Sequence, residues 1–298
     1  AVLAEIHPNW PEQRFTDVVV NGRGTLDAYG FAVRSAARMP TLKQTSALAA
    51  ELDGDFNGIR VQTLELAHGA SSLTAKGRLT WNPGLSWEAE VRGAHIDPSL
   101  LFADWPGDFS CTLNTEGSFD GNDVRASFHL PQLQGTLRRF PLSGKGEAHL
   151  LGRQVRIPMF ALTSAGSGVK IQGEIDDAVN LALKLQSGNL AELWPNARGK
   201  VDLNAKITGP TAKPEVALKL TGAGIGLGAD RIEAVDLETK GTVTAEGSLA
   251  ATLKTENAQL GSIHLIQANA QLKGSLKDHT LVAEARTPEY STGFTAQG

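Results

Sequence analysis

The chain is 298 residues long, 41% hydrophobic, 20% charged and 6% aromatic, with a formal net charge of −4. Those proportions exclude a disordered chain, and the length admits two ordinary domains or one long repetitive one. No basic cluster stands out along the sequence, so nucleic acid is excluded as a partner class and nothing predicts electrostatic docking on anionic lipid. The single cysteine, Cys111, forbids an intrachain disulfide; at an apolar position it reads as core packing and leaves the compartment open. No stretch reaches the roughly 18 consecutive apolar residues of a membrane-spanning helix. The chain opens at Ala1-Val2-Leu3-Ala4-Glu5 and ends in Ser291 to Gly298, a strand-like run, so a segment of a longer protein is expected.

Residues 1–56 carry little pattern; Ala47–Leu52 fits a helical turn as well as a strand. From there period-two alternation dominates. In Leu85-Ser-Trp87-Glu-Ala89-Glu-Val91-Arg the odd positions are apolar and the even ones polar. The same holds in Phe109-Ser-Cys111-Thr-Leu113-Asn, Val169-Lys-Ile171-Gln and Leu181-Ala-Leu183-Lys-Leu185-Gln, and again in Val201-Asp-Leu203-Asn-Ala205-Lys-Ile207-Thr and Val216-Ala-Leu218-Lys-Leu220-Thr. Successive side chains of a strand point to opposite faces, so each run is apolar on one side only. Parallel strands buried on both faces would read as continuous apolar runs, so the pattern predicts antiparallel sheet.

Turn residues separate the runs at Asn82-Pro83-Gly84, Asp120 to Asp123, Ser164 to Gly168 and Asp176-Asp177. Helical signal is confined to Asp97–Asp104, with Asp97 as N-cap and Pro98 first in the helix, and to Asn189–Leu193. Each runs into a Trp-Pro pair, Trp105-Pro106 and Trp194-Pro195, where proline stops a helix. Those pairs mark an internal repeat, with Gly77 and Gly173 96 residues apart and the two tryptophans 89 apart. We therefore expect one elongated segment over 1–298, with repeats at about 58–151 and 152–241 and a partial third at 242–298.

What covers the apolar side decides the function. A second sheet would make a sandwich with a closed core. The low aromatic content and the strand glycines Gly77, Gly117, Gly173 and Gly274 instead favour a sheet curled lengthwise around an aliphatic slot. The expected fold class is thus all-β, a long antiparallel repetitive sheet curled into a hydrophobic groove, with one or two short helical turns. Its candidate lining residues in the first half are Leu73, Ala75, Leu79, Leu85, Trp87, Ala89, Val91, Phe109, Leu113, Val124 and Phe128. In the second half they are Val169, Ile171, Val179, Leu181, Leu183, Leu185, Val201, Leu203, Ile207, Val216, Leu218, Leu220, Leu272 and Leu276. Such a slot suits acyl chains, because each buried CH₂ is worth about 0.8 kcal/mol.

No catalytic constellation is legible. His7, His68, His95, His129, His149, His264 and His279 lack metal-ligand spacing, and Asp278-His279 sits at a turn. Gly222-Ala-Gly-Ile-Gly-Leu-Gly228 lacks the Lys-Ser/Thr of a phosphate loop and reads as a bend between strands. No catalytic, cofactor or metal site is expected, and the chain is expected not to be an enzyme.

In the order of its pieces the chain resembles a middle-region fragment of the TamB family, within the AsmA-like group of bacterial envelope proteins. The pieces are Ser86 to Gly93, Asp104-Trp105-Pro106, Leu113 to Ser118, Gly173 to Leu183, Trp194 to Gly199, Gly209 to Pro214 and Ala268 to Leu281. The resemblance implies a periplasmic protein held in the inner membrane by a segment absent from this chain. It also implies partnership with the outer-membrane barrel TamA, and roles in moving phospholipid between the membranes and in outer-membrane protein assembly and secretion. Acyl chains and nascent outer-membrane proteins would then be the groove's guests. The alternative is a structural or adhesin-type β-sandwich or solenoid with a closed core.

Overall fold

Alternating runs become strands because each buries one row of aliphatic side chains against its neighbours while the opposite row stays in water. The computed structural model describes residues 14–25, 27–38, 45–121, 123–275 and 277–298 and divides into two units, 1–152 and 153–298. The first unit contains β1 (Arg14–Thr25), β2 (Ala28–Arg38), β3 (Ser46–Asp55), β4 (Gly58–His68) and β5 (Ser71–Thr80). It continues with β6 (Leu85–Ile96), β7 (Gly107–Asp120), β8 (Asp123–Leu137) and β9 (Phe140–Leu151). The second contains β10 (Gln154–Ser164), β11 (Ser167–Ile175), β12 (Ala178–Ser187), β13 (Ala197–Pro210) and β14 (Glu215–Leu227). It ends with β15 (Asp230–Thr242), β16 (Leu249–Leu260), β17 (Ile263–Gly274), β18 (His279–Arg286) and β19 (Ser291–Gln297).

Within each unit every strand pairs antiparallel with the next, as the alternation predicts. Ala47–Leu52 lies in β3 and is strand, not helical turn. The Gly222–Gly228 run is not a bend between strands: all but Gly228 lies inside β14, where Gly224 takes φ +60 and bends the strand locally. The expected turns at Asp120 to Asp123 and Asp176-Asp177 do connect strands.

Both helical candidates shrink to single 3₁₀ turns, Pro98–Leu100 and Leu190–Glu192. The Asp97 carboxylate caps the first: it accepts from Ser99 N–H and Gly107 N–H at 3.0 Å each and from the Ser99 hydroxyl at 2.8 Å. Burial alone would raise its pKa, but those donors outweigh burial and hold the carboxyl below the ordinary aspartate value of 3.8. Asp97 therefore stabilises the fold above about 3.8 and loses that contribution as pH falls through its lower folded value. Asp97→Asn is expected to cost about 1–2 kcal/mol at pH 7 and almost nothing near pH 2, measured by urea unfolding at both pH values.

The second turn is held differently. Glu192 Oε2 accepts from the fully buried Ser167 hydroxyl at 2.7 Å and from Gly166 N–H at 3.0 Å, tying the turn to the β10–β11 hairpin. Arg138 packs its guanidinium 4.7 Å from the Trp105 ring centre, which fastens the first Trp-Pro segment to the end of β8.

Candidate functional site

Residues directly opposite one another across a ladder share a face, so the registers assemble the surface row by row. In the second unit Leu162, Val169, Leu185, Leu203 and Leu220 face one another in turn from β10 to β14. The row continues through Leu237, Leu253, Ala270 and Ala283 on β15 to β18. Beside it runs Phe160, Ile171, Leu183, Ala205, Leu218, Thr239, Ala251, Leu272 and Leu281. A third row holds Leu181, Ile207 and Val216, interrupted by Gly173, Gly241 and Gly274. Val201 and Val179 extend the same face at its two borders.

The first unit repeats the arrangement. Val33, Ala50, Leu64, Ala75, Val91 and Leu113 face one another across β2 to β7. Leu73 lies opposite Leu66, Leu79 opposite Trp87, Ala89 opposite Thr115, and Thr115 opposite Phe128. Phe119 pairs with both Leu85 and Val124, and Phe109 with Ile96. Every lining residue expected from the sequence falls on this one face of its unit, except Leu276, which lies outside the described residues. Cys111 shares the face opposite Gly93, half-buried.

The degree of burial is the deciding property. Among the described Leu, Ile, Val, Phe, Trp and Met residues only Leu142 and Val179 are buried; the other buried apolar residues are Ala37, Ala50, Ala126 and Ala258. The rows are half-buried, with Leu79, Leu85 and Phe128 more open at 37%, 38% and 42% exposure. A second sheet packed about 10 Å away would close those side chains off almost completely. These rows form an aliphatic surface without a closed core.

Strand glycines shape that surface. Gly117 admits the Trp87 ring, whose nearest atom lies 2.3 Å from where a Cβ would stand. Bulges at Val61/Leu64, Gly93/Ile96, Leu130/Leu133 and Ile157/Phe160 bend their strands further.

The opposite face is polar. In the first unit Lys76 and Arg92 both pair with Glu90, at 3.2 and 2.9 Å, and the Lys76 contact leads in holding the Glu90 carboxyl below its usual range. Ser127, His149 and Glu147 form a Ser–His–carboxylate series there, at 3.2 and 2.8 Å. The Ser127 backbone is paired with Glu116 on one side and His149 on the other, so its strand offers no donors for an oxyanion. The same Ser–His contact recurs at Ser46 and His68, 3.0 Å apart, as a cross-strand hydrogen bond. Among the described residues no three His, Cys, Asp or Glu side chains converge as metal ligands, and no helix is long and apolar enough to cross a membrane.

The model of the TamB N-terminal domain family matches residues 7–298. The chain belongs to the TamB family. This TamB-family chain is also 22% identical over 293 residues to the translocation and assembly module subunit TamB of Haemophilus influenzae (strain ATCC 51907 / DSM 11121 / KW20 / Rd). That alignment covers 96% of the chain and 22% of the relative, so the chain spans about a fifth of the relative's length. No solved structure matches it.

Sequence reasoning missed the part of the face built by residues 31–37 and 46–66. Its alternation is interrupted by the β4 bulge at Val61/Leu64 and diluted by alanines at positions 32, 36, 37, 47, 49 and 50. It also passed over Leu237, Leu253 and Leu281 as lining residues; in β15 Ala234 and Val235 are adjacent, and in β18 Leu281 and Val282, which blurs the alternation there.

Proposed function

We propose that the aliphatic face is a hydrocarbon-binding groove of the bacterial envelope. In this reading it carries phospholipid between the inner and outer membranes, and it assists outer-membrane protein assembly and secretion together with TamA. The protein works in the periplasm, anchored in the inner membrane by a segment outside this chain. The observation that supports the reading is the combination of continuity and half-burial. Nine strands in succession, β10 to β18, contribute to one aliphatic row that no packed layer closes off. A sixteen-carbon chain needs about 12 kcal/mol of apolar contact to leave a bilayer without penalty, and a continuous row supplies it at every step. A closed adhesin or solenoid core would instead bury the same leucines completely.

The test places a photo-crosslinking residue at Leu203, in the aliphatic row, or at Asn180, an exposed position on the other face. Irradiation of the protein purified without detergent is expected to attach phospholipid at position 203 and not at 180. Lipid-free protein, or equal labelling at both positions, would end the reading.

A further inference from the structure

The face behind the aliphatic rows of the second unit carries a pattern of its own. Seven consecutive strands, from Lys170 on β11 to Lys273 on β17, each place at least one exposed lysine there, and β13 places two, Lys200 and Lys206. Lys170 lies directly opposite Lys184. Lys206 stands between Ala182 and Ala217, and Ala217 faces Lys240 on its other side. The small alanines leave the floor open, and the lysines rise around a trough of about 530 Å³. Five lysines line it, Lys170, Lys184, Lys206, Lys219 and Lys240, against one carboxylate, Glu238. Among the described ion pairs none involves any of the five.

This is not a general property of the polar face. The trough of about 770 Å³ on the first unit sets Arg60, Lys76 and Arg78 against Glu88, Glu90 and Glu116, three charges of each sign, and its ladder neighbours Lys76 and Glu90 form an ion pair. Like charges directly across a ladder destabilise it. Glu238 stands directly opposite Lys219 and is the trough's one carboxylate, so a surface that balances its charges in one unit keeps four lysines in excess in the other, an arrangement suited to an anion that arrives from outside. A lysine ammonium is a compact point charge with three rotatable donors, suited to phosphate oxygens approached from several directions. A single carboxylate would leave most of the excess charge unanswered. Gln172 and Asn204 add amide donors at the rim.

We propose that this trough binds a multiply charged, phosphate-bearing anion, on the face opposite the hydrocarbon groove. The proposal rests on the lysines and amides of the trough, all of them on the face opposite the aliphatic rows, although Leu183, Ala205, Leu218 and Thr239 of those rows also border it. Two sources of the chemistry are separated by two probes. Vesicles of phosphatidylcholine with and without phosphatidylglycerol present a phosphate surface, and inorganic tripolyphosphate presents a free anion. Saturable binding to either is expected, weakening with added salt and falling at least tenfold in the triple variant Lys184→Gln, Lys206→Gln, Lys219→Gln. Binding to phosphatidylglycerol alone assigns a lipid surface; binding to tripolyphosphate assigns a soluble anion. The pair Arg60→Gln, Arg78→Gln in the first unit is expected to leave binding unchanged. Without anion the triple variant is expected to melt no lower than the parent, because it relieves repulsion. Binding that survives the triple variant, absence of binding to both probes, or binding of polyglutamate in place of both, overturns the proposal.

Discussion

Leu183→Asp is expected to weaken hydrocarbon binding by about 100-fold or more while leaving the fold nearly intact. Leu183 is half-buried in the aliphatic face, between Ile171 on β11 and Ala205 on β13. Removing its contact with an acyl chain forfeits about 1.5–3 kcal/mol. A carboxylate at the same point would also be stripped of water by each passing chain, at a further cost of several kcal/mol. Since each 1.4 kcal/mol is tenfold, the two terms together exceed a factor of 100. In the empty protein the carboxylate stays hydrated, and Thr239 already places a hydroxyl in the same row. The stability cost should therefore stay near 1 kcal/mol. The control is Ala250→Asp, on the exposed face between Lys240 and Lys273, where the new charge meets cations. Lipid recovered with the purified protein, by mass spectrometry beside thermal melting, reads both quantities. Loss of folding in Leu183→Asp with no separate loss of lipid would remove the groove from the account.

The antiparallel sheet was legible because its evidence is local. Alternation over eight residues, as in Leu85 to Arg92, states which side of a strand is apolar before any partner is known. Turn residues then say where the next strand begins. The aliphatic face was legible for the same reason, since a row across strands is built from positions that each alternate correctly. Where a bulge shifts the phase, as at Val61/Leu64, the pattern breaks within its own strand and the reading fails. The lysine trough was invisible for the opposite reason. Its residues sit between 13 and 22 positions apart, one per hairpin arm, so no window of sequence contains a cluster. Only the ladder register brings Lys170 opposite Lys184, and net charge averages the excess away. Burial is likewise a property of the assembled sheet. Alternation states that one face is apolar and is silent on whether anything covers it.

Gly173→Val is expected to lower the melting temperature by about 10 °C. Gly173 occupies an aliphatic-face position of β11 opposite Ile157 and Leu181, with φ +141, a conformation that side-chain-bearing residues rarely adopt. A Cβ there would stand 1.9 Å from the Asn180 carbonyl oxygen and 2.8 Å from Leu181 Cα, both backbone atoms of the paired strand. Neither atom moves without breaking the β11–β12 ladder. Backbone strain of about 1–3 kcal/mol and overpacking of about 1–3 kcal/mol combine to roughly 3–5 kcal/mol, and each kcal/mol is worth about 2–4 °C in a unit of this size. Gly241 and Gly274 repeat the conformation at φ +146 and +131 in the same cross-strand row. Glycine there is a requirement of the sheet's bend, recurring at one height. Gly188→Ala is the matching control, since a Cβ there meets nothing within 4 Å, and its effect should stay within about 0.5 kcal/mol. Because Gly173 lies on the aliphatic face, a side chain there also intrudes on the surface beside Leu181. The milder Gly173→Ala variant should therefore lose acyl-chain binding at temperatures where it remains folded. If Gly173→Val melts with the parent, the row of glycines is not what bends these strands.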